Sequence, residues 1–411
     1  MTIRIIPVLT TPIQTTFYGS QDGSNTIYGH TFGDTIWGDA HQDINSGTIG
    51  NNTVYGGAGS NTIYGDCSKL HGYATANSNV IWGNGQGADY TATTKIVGNA
   101  VFMYGHAYAI GNSINDSFGG VKSTLFGNAV YMNQDAIGGH NTIVAGSADN
   151  TVYGTAQFIN TTGGYNIDTD VGSSHAVHGG GNTIYLEIHR GTGTAYGDAA
   201  SIEQGGQFTG GYNKIYINDY SAGRGTVYGT AGTFTELGIQ AGHNEIHAGF
   251  GTDIIFGDCG TNNGGSAVGG YNTIYAGAGS DTIYGDCGTN TSNFTGGHNT
   301  IYAGHGDAYD NQGKADIWGS ATDGFNTFLF QPGTGQVTIH DFNHHPGRDV
   351  LDVSAYHLTP VLGAGGVTIS SDNGQPSGNA VVNLPSSLTH ASQVTLIGIH
   401  PADLTVSDFQ F

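Results

Sequence analysis

The sequence predicts an all-β fold, namely a parallel β-solenoid (a β-roll or β-helix) with about 27 residues per coil and a C-terminal β-sandwich-like cap. Three observations predict it: two repeat series of similar period, an excess of glycine and a low content of charge. Of the 411 residues, 72 are Gly and 10% are charged. Because Gly costs about 1 kcal/mol per helical position, a helical bundle is excluded. Collagen is excluded too, since there are only 8 Pro and no Gly at every third residue.

The first repeat series consists of an Asn that is followed closely by an apolar residue, often as Asn-Thr-Ile-Tyr. Its spacings run from 27 to 41 residues, and most of them lie between 27 and 33. We interpret the series as a ladder of side-chain amides that links successive coils. Its members are Asn25, Asn52, Asn79, Asn112, Asn141, Asn182, Asn213, Asn244, Asn272, Asn299 and Asn326.

The second series is a Gly, then Asp, Asn, Thr or Ser, then Ala or Cys, after an apolar-aromatic pair. It starts at Gly38, Gly65, Gly98, Gly127, Gly154, Gly197, Gly229, Gly257, Gly285 and Gly319. Both series stretch at similar places, so both indicate one coil with loop insertions, the largest around Gln157–Gly181.

Within a coil the spacing is nine residues, for example from Asn272 to Asp281 and from Asn52 to Asn61. Three such edges make one coil, and each short strand is expected to pair with its counterpart one coil away around a shared apolar core. Tyr residues that follow the inward Ile or Val should form an aromatic stack along the rod. They are Tyr28, Tyr55, Tyr64, Tyr275, Tyr284 and Tyr302.

The three cysteines occupy the position that Ala holds in other coils, so we interpret Cys67, Cys259 and Cys287 as small buried residues. An odd number of cysteines excludes a fully paired intramolecular framework. Cys259 and Cys287 lie one coil apart, and whether they form a disulfide is left open.

The turn between the first two edges carries the pattern x-G-x-G-x-D-x-U-x, where U is apolar, at residues 248–256 and 276–284. Glycines permit positive φ and leave turn carbonyls facing a cation, and Asp supplies a hard oxygen donor. The residues concerned are Gly249, Gly251, Asp253, Gly277, Gly279 and Asp281. In this pattern the chain resembles the RTX (repeats-in-toxin) family of secreted calcium-binding proteins, which implies Ca²⁺ as the ligand. Other coils carry Asn at the Asp position, so few sites are expected, near residues 249–286.

A second acidic row follows the glycines of the second series at Asp39, Asp66, Asp198, Asp258 and Asp286. Carboxylates stacked about 5 Å apart repel by about 1 kcal/mol even in water. Either a cation lies between Asp258 and Asp286, which adds both to the candidate metal ligands, or the row is splayed into solvent. Turn-forming Asp residues without an ion are the third interpretation.

The period breaks after about Asn326, and residues 336–354 and 394–411 look like the C-terminal targeting domain of type I secretion substrates. The closing signature is Asp408, Phe409 and Phe411. The resemblance implies export from a Gram-negative bacterium through an ABC transporter without a cleaved N-terminal signal, and Met1–Ile13 is a poor signal peptide. The predicted segments are an N-terminal strand or cap (1–24), solenoid repeats (25–329) and a C-terminal secretion and capping domain (330–411).

The net charge of −22 argues against binding to nucleic acid or to an anionic membrane, and no apolar run is long enough to insert into one. The zinc-protease motif H-E-x-x-H and the hydrolase motif G-x-S-x-G are both absent, so the chain shows no recognisable catalytic motif. The histidines His340, His344 and His345 lie near two Asp residues. They are interpreted as polar surface, with a transition-metal site as the alternative.

The leading hypothesis is a secreted, calcium-stabilised β-solenoid with a structural or adhesive role in extracellular matrix or at the cell surface, and no enzymatic activity. Its first coils, near Thr16–Trp37, are the candidate edge for end-to-end association into filaments. The alternative from another class is a β-helix that binds or modifies extracellular polysaccharide, as lyases and epimerases do. A third interpretation is ice binding by Thr rows such as Thr26, Thr35, Thr53 and Thr62.

Overall fold

The structure is a computed structural model of the 411-residue chain. The residues it describes are 2–4, 16–20, 24–30, 33–39, 42–83, 92–117, 122–133, 135–146, 149–160, 176–188, 191–203, 207–219, 223–235, 238–264, 266–291, 294–303, 326–332, 335–344, 349–385 and 392–411. Within these ranges the chain is a stack of short strands in four sheets, and two 3₁₀ turns at Ser354–Tyr356 and Val406–Asp408 complete the regular structure.

Two large sheets carry most of the strands. The first sheet has 15 strands, in spatial order Thr2–Arg4, Asn25–Tyr28, Thr53–Tyr55, Val80–Trp82, Ser113–Asp116, Thr142–Ala145, Thr183–Ile188, Lys214–Asp219, Glu245–His247, Thr273–Tyr275, His298–Tyr302, Gln336–His340, Ser392–Leu396, Ala380–Leu384 and Thr368–Ser371. The second sheet has 13 strands, Thr16–Tyr18, Thr35–Trp37, Thr62–Tyr64, Thr93–Val97, Lys122–Phe126, Asn150–Tyr153, Gly191–Tyr196, Gly223–Tyr228, Ile254–Phe256, Thr282–Tyr284, Thr327–Leu329, Val350–Asp352 and Phe409–Gln410.

Two smaller sheets complete the coils. The third sheet has 10 strands, Tyr108–Ala109, Lys69–Ala76, Ala100–Met103, Ala129–Asn133, Ala156–Asn160, Ala199–Glu203, Ala231–Phe234, Cys259–Asn262 and Thr289–Asn290, with Asp43–Ile49 paired to the second of these. The fourth sheet has five, Ala176–His178, Gln207–Thr209, Ile239–Gln240, Ala267–Val268 and Phe294–Thr295. Pairing is parallel throughout except at the last two strands of the first sheet. The predicted parallel β-solenoid is confirmed.

The strands of the two large sheets point apolar side chains inward, because side chains alternate between the faces of a strand. Ile27, Val54 and Ile81 follow one another through three coils of the first sheet and are at most 2% exposed. The outward positions on either side carry Thr and an aromatic residue, as in Thr53–Tyr55. The sequence Thr-Ile-Tyr is therefore a complete strand that builds the core with its middle residue.

The predicted aromatic stack is confirmed on both large sheets. In the first sheet the rings of Tyr28 and Tyr55 lie 4.8 Å apart at an interplanar angle of 3°, and in the second sheet those of Phe256 and Tyr284 lie 4.6 Å apart at 18°. Such stacking adds to the free energy of association between coils beyond the area buried.

One member of the first repeat series was assigned wrongly. Asn326 precedes a strand of the second sheet, and its Oδ1 accepts the N–H of Asp281 at 3.2 Å, so it does not continue the column of Asn299. Asp281 and Asn326 are 45 residues apart, whereas Asp253 and Asp281 are 28 apart. The coil between them is therefore 17 residues longer (45 − 28), which makes the regular spacing from Asn299 a coincidence.

The structure contains a disulfide between two of the three cysteines, a pairing that the sequence left open. Cys259 and Cys287, at the starts of adjacent third-sheet segments, are bonded with their Cα atoms 4.4 Å apart. Cys67 is a buried free thiol in the same core cluster as the alanines of that column. The bond joins the two coils that carry the full nonapeptide pattern, and closing a loop of this size typically stabilises a fold by about 2–4 kcal/mol.

The C-terminal region adds strands to both large sheets. Gln336–His340 pairs in parallel with His298–Tyr302, and Val350–Asp352 pairs with Thr327–Leu329. One apolar cluster runs between the two large sheets from Ile27 to Phe409, so the C-terminal strands extend the core of the solenoid. The three segment boundaries stay predictions. Among the residues that the structure describes, no helix has the length and apolar character needed to span a membrane.

Candidate calcium sites between stacked turns

The first Asn column forms the amide ladder that the repeats predicted. In most steps the backbone N–H of one Asn donates to Oδ1 of the Asn one coil later, as from Asn25 to Asn52 at 2.9 Å and from Asn52 to Asn79 at 2.9 Å. The same bond reaches Oδ1 of Asn112, Asn141, Asn182, Asn213, Asn272 and Asn299. The column therefore continues the hydrogen bonding of the sheet through buried side chains.

The same side chains also close each coil on itself. Nδ2 of Asn52 donates to the carbonyl of Gly65 at 2.8 Å, across the interior of the coil. Equivalent bonds join Asn25 to Gly38, Asn79 to Gly98, Asn112 to Gly127, Asn141 to Gly154, Asn182 to Gly197, Asn213 to Gly229, Asn244 to Gly257 and Asn272 to Gly285. The two repeat series are thus hydrogen-bonded partners, which explains why both keep the same period.

The acidic row beside these glycines is buried, so the alternative of carboxylates splayed into solvent is wrong. Asp198 and Asp258 are 0% exposed and Asp286 is 2% exposed. Asp258 accepts the N–H of Gly270 at 3.1 Å and Nδ2 of Asn272 at 3.0 Å. Amide donors therefore compensate part of the buried charge. As metal ligands, Asp258 and Asp286 stay a prediction.

Burial changes the acidity of this row. Burial raises the pKa of Asp198 to about 7 and that of Asp39 to about 6. For Asp258 burial raises the pKa well above its usual range, and the charge of Asp286 one coil away raises it further. Removing a carboxylate from water disfavours its charged form, so these groups hold protons that an unfolded chain would release.

Replacing Asp198 with Asn should weaken the pH dependence of stability. The unfolded carboxyl has a pKa of 3.8 and the folded one a pKa of about 7, so the folded state binds more protons between these values. Stability due to this group is therefore complete below about pH 4 and is lost as the pH rises to about 7. We expect the Asp198→Asn variant to have a higher Tm than the wild type at pH 8, and a similar Tm at pH 4.

The measurement is thermal unfolding by circular dichroism across this pH range in chelator, with the exposed Asp403→Asn as the control. Asn99 and Asn128 already occupy the equivalent position in other coils, so Asn fits it. A Tm difference at pH 8 no larger than that of the control would contradict this prediction.

A second ladder runs along the turns that contain the nonapeptide pattern. Here too a backbone N–H donates to Oδ1 of an Asp or Asn one coil later. The donor–acceptor pairs are Asp34 to Asn61, Ser123 to Asn150, Gly225 to Asp253, Asp253 to Asp281, Asp281 to Asn326 and Asn326 to Asp349. Because the ladder uses only Oδ1, Asp and Asn serve it equally.

The glycines of the pattern let successive turns stack closely. Gly277 and Gly279 have φ of 74° and 145°, in the left-handed range that L residues avoid. A Cβ on Gly277 would collide with the carbonyl of Gly249, and a Cβ on Gly279 with that of Gly251. The N–H of Ala278 donates to Gly249 O at 2.8 Å. Carbonyl oxygens of one turn therefore lie directly against the backbone of the next.

The turn that contains Asn61 tests whether the residues fit a cation. Nδ2 of Asn61 donates to the carbonyls of Gly57 at 3.3 Å, Gly59 at 3.3 Å and Gly83 at 3.4 Å. At Asp281 the corresponding atom is Oδ2, a hydrogen-bond acceptor, beside the equivalent glycines Gly277 and Gly279. A carboxylate oxygen facing carbonyl oxygens is the hard, all-oxygen donor set that suits Ca²⁺. The residues fit calcium.

Asp253 and Asp281, each 1% exposed, and the carbonyl-bearing turns 249–251 and 277–279 would hold the ion between adjacent coils. The ion would attract the turn carbonyls there, as the partly positive Nδ2 group of Asn61 does in its own turn. Asp258 and Asp286 lie at a different corner of the coil, since the strand Thr282–Tyr284 separates Asp281 from Asp286. The eight predicted residues therefore divide between two corners. Within the described ranges no three His, Cys, Asp or Glu side chains cluster as a metal site.

The fold and these turns define a class: a β-solenoid whose stacked turns offer oxygen ligands to calcium. A family model described as RTX calcium-binding nonapeptide repeat (4 copies) matches residues 20–44, 46–66, 135–157, 240–262 and 267–291. These segments are RTX-type nonapeptide repeats, and such repeats imply binding of calcium. The last two matched segments contain all eight predicted metal residues. No curated protein and no solved structure shows significant similarity to the chain.

A charged cluster on the outer face of the first sheet was missed from the sequence. Glu245 lies 2.8 Å from Lys214 Nζ and 2.8 Å from Nε2 of His247. Lys214 and Glu245 each follow an Asn of the first ladder, so this shared position could have placed them side by side. The ring of His247 is stacked between Tyr216 at 4.8 Å and Tyr275 at 4.4 Å, and burial lowers its pKa.

The other predicted residues lie at the C-terminal end. His340 stacks on Tyr302 with ring centroids 4.6 Å apart, while His345 lies outside the described residues, so the metal alternative for this group stays untested. Asp408 is 1% exposed and its Oδ2 accepts the N–H of Thr405 at 2.7 Å. Phe409 pairs with Leu351 at the end of the second sheet. The closing signature is thus part of the folded end of the solenoid.

Proposed function

We propose that the chain is exported from a Gram-negative cell and folds outside it into a calcium-stabilised β-solenoid with a structural or adhesive role in extracellular matrix or at the cell surface. The observation that supports the proposal is the contact between turns 249–253 and 277–281, where a buried carboxylate replaces the amide of Asn61 among turn carbonyls. Calcium bound there acts by linkage, since an ion that binds only the folded state stabilises it.

The C-terminal contacts support export of an unfolded chain. Asp408 and Phe409 are buried in the folded protein, so a transporter that recognises them must do so before they pack. Calcium outside the cell is millimolar, which suits extracellular calcium modules with dissociation constants of about 10⁻⁴–10⁻³ M. Export through an ABC transporter and folding on arrival form one sequence of events in this proposal.

End-to-end association is the second part of the proposal. Thr16–Tyr18 is the terminal strand of the second sheet among the described residues, so its outer edge can template another strand. The opposite end finishes in the antiparallel strands Thr368–Ser371 and Ala380–Leu384. Contact between two different ends is heterologous, and such contacts build filaments rather than closed dimers.

The test combines calcium titration calorimetry and thermal unfolding with electron microscopy of the full chain, in calcium and in excess chelator. We expect saturable calcium binding, a Tm that falls on chelation, and filaments in calcium. An unchanged Tm in excess chelator would refute the calcium part. Monodisperse monomer at high concentration in both conditions would refute the filament part.

Contacts on the outer face of the first sheet support the proposal of a non-enzymatic role. The charged groups of Lys214, Glu245 and His247 are bonded to one another, and the His247 ring is enclosed by two Tyr rings. The Thr rows considered for ice binding are interrupted, because Val80 and Lys95 replace Thr in the next coils. We therefore propose a structural role without enzymatic activity, which an assay of lyase and epimerase activity on acidic polysaccharides would test.

A further inference from the structure

Two lysines lie diagonally across adjacent strands on the outer face of the second sheet. Lys95 is in register with Thr62 on one side and Thr124 on the other, and Lys122 is in register with Thr93. Residues two apart on a strand share a face, so both side chains belong to one surface. Their strands, Thr93–Val97 and Lys122–Phe126, are adjacent.

This pair is unusual in a chain with 9 basic and 31 acidic residues. Lys69 and Lys214 each form an ion pair, with Asp43 at 3.0 Å and with Glu245 at 2.8 Å. No ion pair of Lys95 or Lys122 occurs within the described part of the chain. The neighbouring Asp149 is directed to the far side, where its Oδ1 accepts the N–H of Thr192 at 2.8 Å.

The local structure holds Lys95 in place. Val97 occupies the outward position that Tyr64 and Phe126 occupy in the adjacent coils, which interrupts the aromatic stack. The ammonium of Lys95 lies 5.6 Å from the centre of the Phe126 ring, a cation–π contact. Burial of the stem lowers the pKa of Lys95, and an anion beside the ammonium would offset that cost.

Around the pair there is a cleft of about 370 Å³. Its lining combines the two ammonium groups with hydroxyls, and no carboxylate contributes to it. The residues are Ser60, Asn61, Thr62, Thr93, Thr94, Lys95, Lys122 and Thr124. Ammonium groups bind carboxylates through charge-assisted hydrogen bonds, and the Ser and Thr hydroxyls can both donate to and accept from neutral hydroxyl groups.

We propose that this cleft binds a carboxylate of an acidic, uronate-containing polysaccharide. Two adjacent cations match the acid group, and the surrounding hydroxyls match the hydroxyls of a sugar. The outward Thr row continues on both sides, through Thr35 and Thr62 and through Thr124 and Thr151, so a linear polymer can run along the coil stack. The extracellular setting rests on the proposed function, whereas the site itself does not.

The polymer is recognised through polar groups rather than by stacking on aromatic rings. The rings of Tyr212, His243 and Tyr271 are stacked on one another at centroid distances of 5.0 and 4.8 Å. The faces between them are therefore not available for stacking with a sugar ring. The net charge of −22 repels a polyanion at a distance. At physiological salt that repulsion is screened beyond about 8 Å, so the local lysine pair dominates at contact.

The experiment is calorimetric titration of the full chain, at fixed free calcium and physiological salt, with a hexamer of galacturonate. A neutral galactose hexamer, acetate and inorganic sulfate are titrated in parallel. The variant is Lys95→Gln with Lys122→Gln, and the matched control is Lys69→Gln with Lys214→Gln, which removes the same charge from paired lysines. Circular dichroism and the calcium-dependent Tm confirm that each protein is folded, independently of polymer binding.

We expect the galacturonate hexamer to bind, with an affinity at least about tenfold lower in the Lys95 and Lys122 variant and nearly unchanged in the control. The neutral hexamer should not bind measurably. Equal loss in both double variants, or no binding of the hexamer by the folded wild type, would overturn the site. Sulfate or acetate binding as tight as the hexamer would overturn the assignment to a polymer.

Discussion

Replacing both Asp253 and Asp281 with Asn should abolish most of the stabilisation by calcium and leave the calcium-free fold in place. Asn61 already occupies the equivalent position, where Oδ1 accepts a backbone N–H and Nδ2 donates to the turn carbonyls. The double variant therefore keeps the ladder but loses the carboxylates that bind the ion. A site contributes about 2.7 kcal/mol when free calcium is a hundred times its Kd, so the double variant should lose about this much stabilisation.

Thermal unfolding in excess chelator and in millimolar calcium measures this effect. The wild type should show a large calcium-dependent rise in Tm, and the Asp253→Asn and Asp281→Asn double variant only a small one. A control with Asp43→Asn and Asp403→Asn removes the same charge from exposed positions and should keep the full rise. If the double variant responds to calcium as the wild type does, these two residues are not ligands.

The reciprocal substitution provides a gain of function. Asn61→Asp restores the complete nonapeptide pattern, since Gly57 and Gly59 already have φ of 80° and 92°. We expect this variant to be less stable than the wild type in chelator, because a carboxylate then faces the turn carbonyls, and to gain a further calcium-dependent rise in Tm. A variant that is destabilised to the same degree with and without calcium would show that this turn cannot bind the ion.

The repeats predicted the solenoid well because each coil repeats the same physical requirement. An inward Ile or Val, a ladder Asn and a turn Gly recur at nearly fixed spacing, so the pairing of strands such as Thr53–Tyr55 and Val80–Trp82 follows from periodicity alone. Insertions between coils change the spacing of the repeats in the sequence but not the register in which the strands pair. Asn326 was misplaced because both ladders use Asn before a Thr, and letters alone do not distinguish the two columns.

The chemistry of the acidic residues was harder to predict, since it depends on which atoms face each carboxylate. The sequence showed a stacked row at Asp258 and Asp286 and suggested a cation or exposure to solvent. Hydrogen bonds from the amide ladder were not considered, although an Asn of the ladder follows these Asp residues by 13 to 15 positions, as Asn272 follows Asp258. The sequence suggested only that Asn weakens a calcium site, whereas in the structure the Nδ2 group of Asn61 donates hydrogen bonds to the turn carbonyls.

Replacing Asn213 with Ala should destabilise the fold by about 4 kcal/mol or more, more than most single substitutions do. Its Oδ1 accepts the N–H of Asn182 at 3.1 Å and Nδ2 of Asn182 at 3.0 Å. Its Nδ2 donates to Gly229 O at 3.0 Å and to Oδ1 of Asn244 at 3.1 Å. Each buried partner left without a hydrogen bond costs about 1–3 kcal/mol, and no water reaches these groups directly, since Asn213 is 1% exposed.

Equilibrium unfolding in denaturant, at saturating calcium, measures this loss, with the exposed Asn263→Ala as the control. Asn213→Asp separates the two halves of the contact, because it keeps the acceptor for Asn182 and removes the donor to Gly229. It also places a second carboxylate beside Asp198, whose Oδ2 lies 3.3 Å from Nδ2 of Asn213, so its destabilisation should increase with pH. A loss below about 1 kcal/mol for Asn213→Ala would mean that the coils are held together by their apolar core and sheet hydrogen bonds, with the amide ladder contributing little.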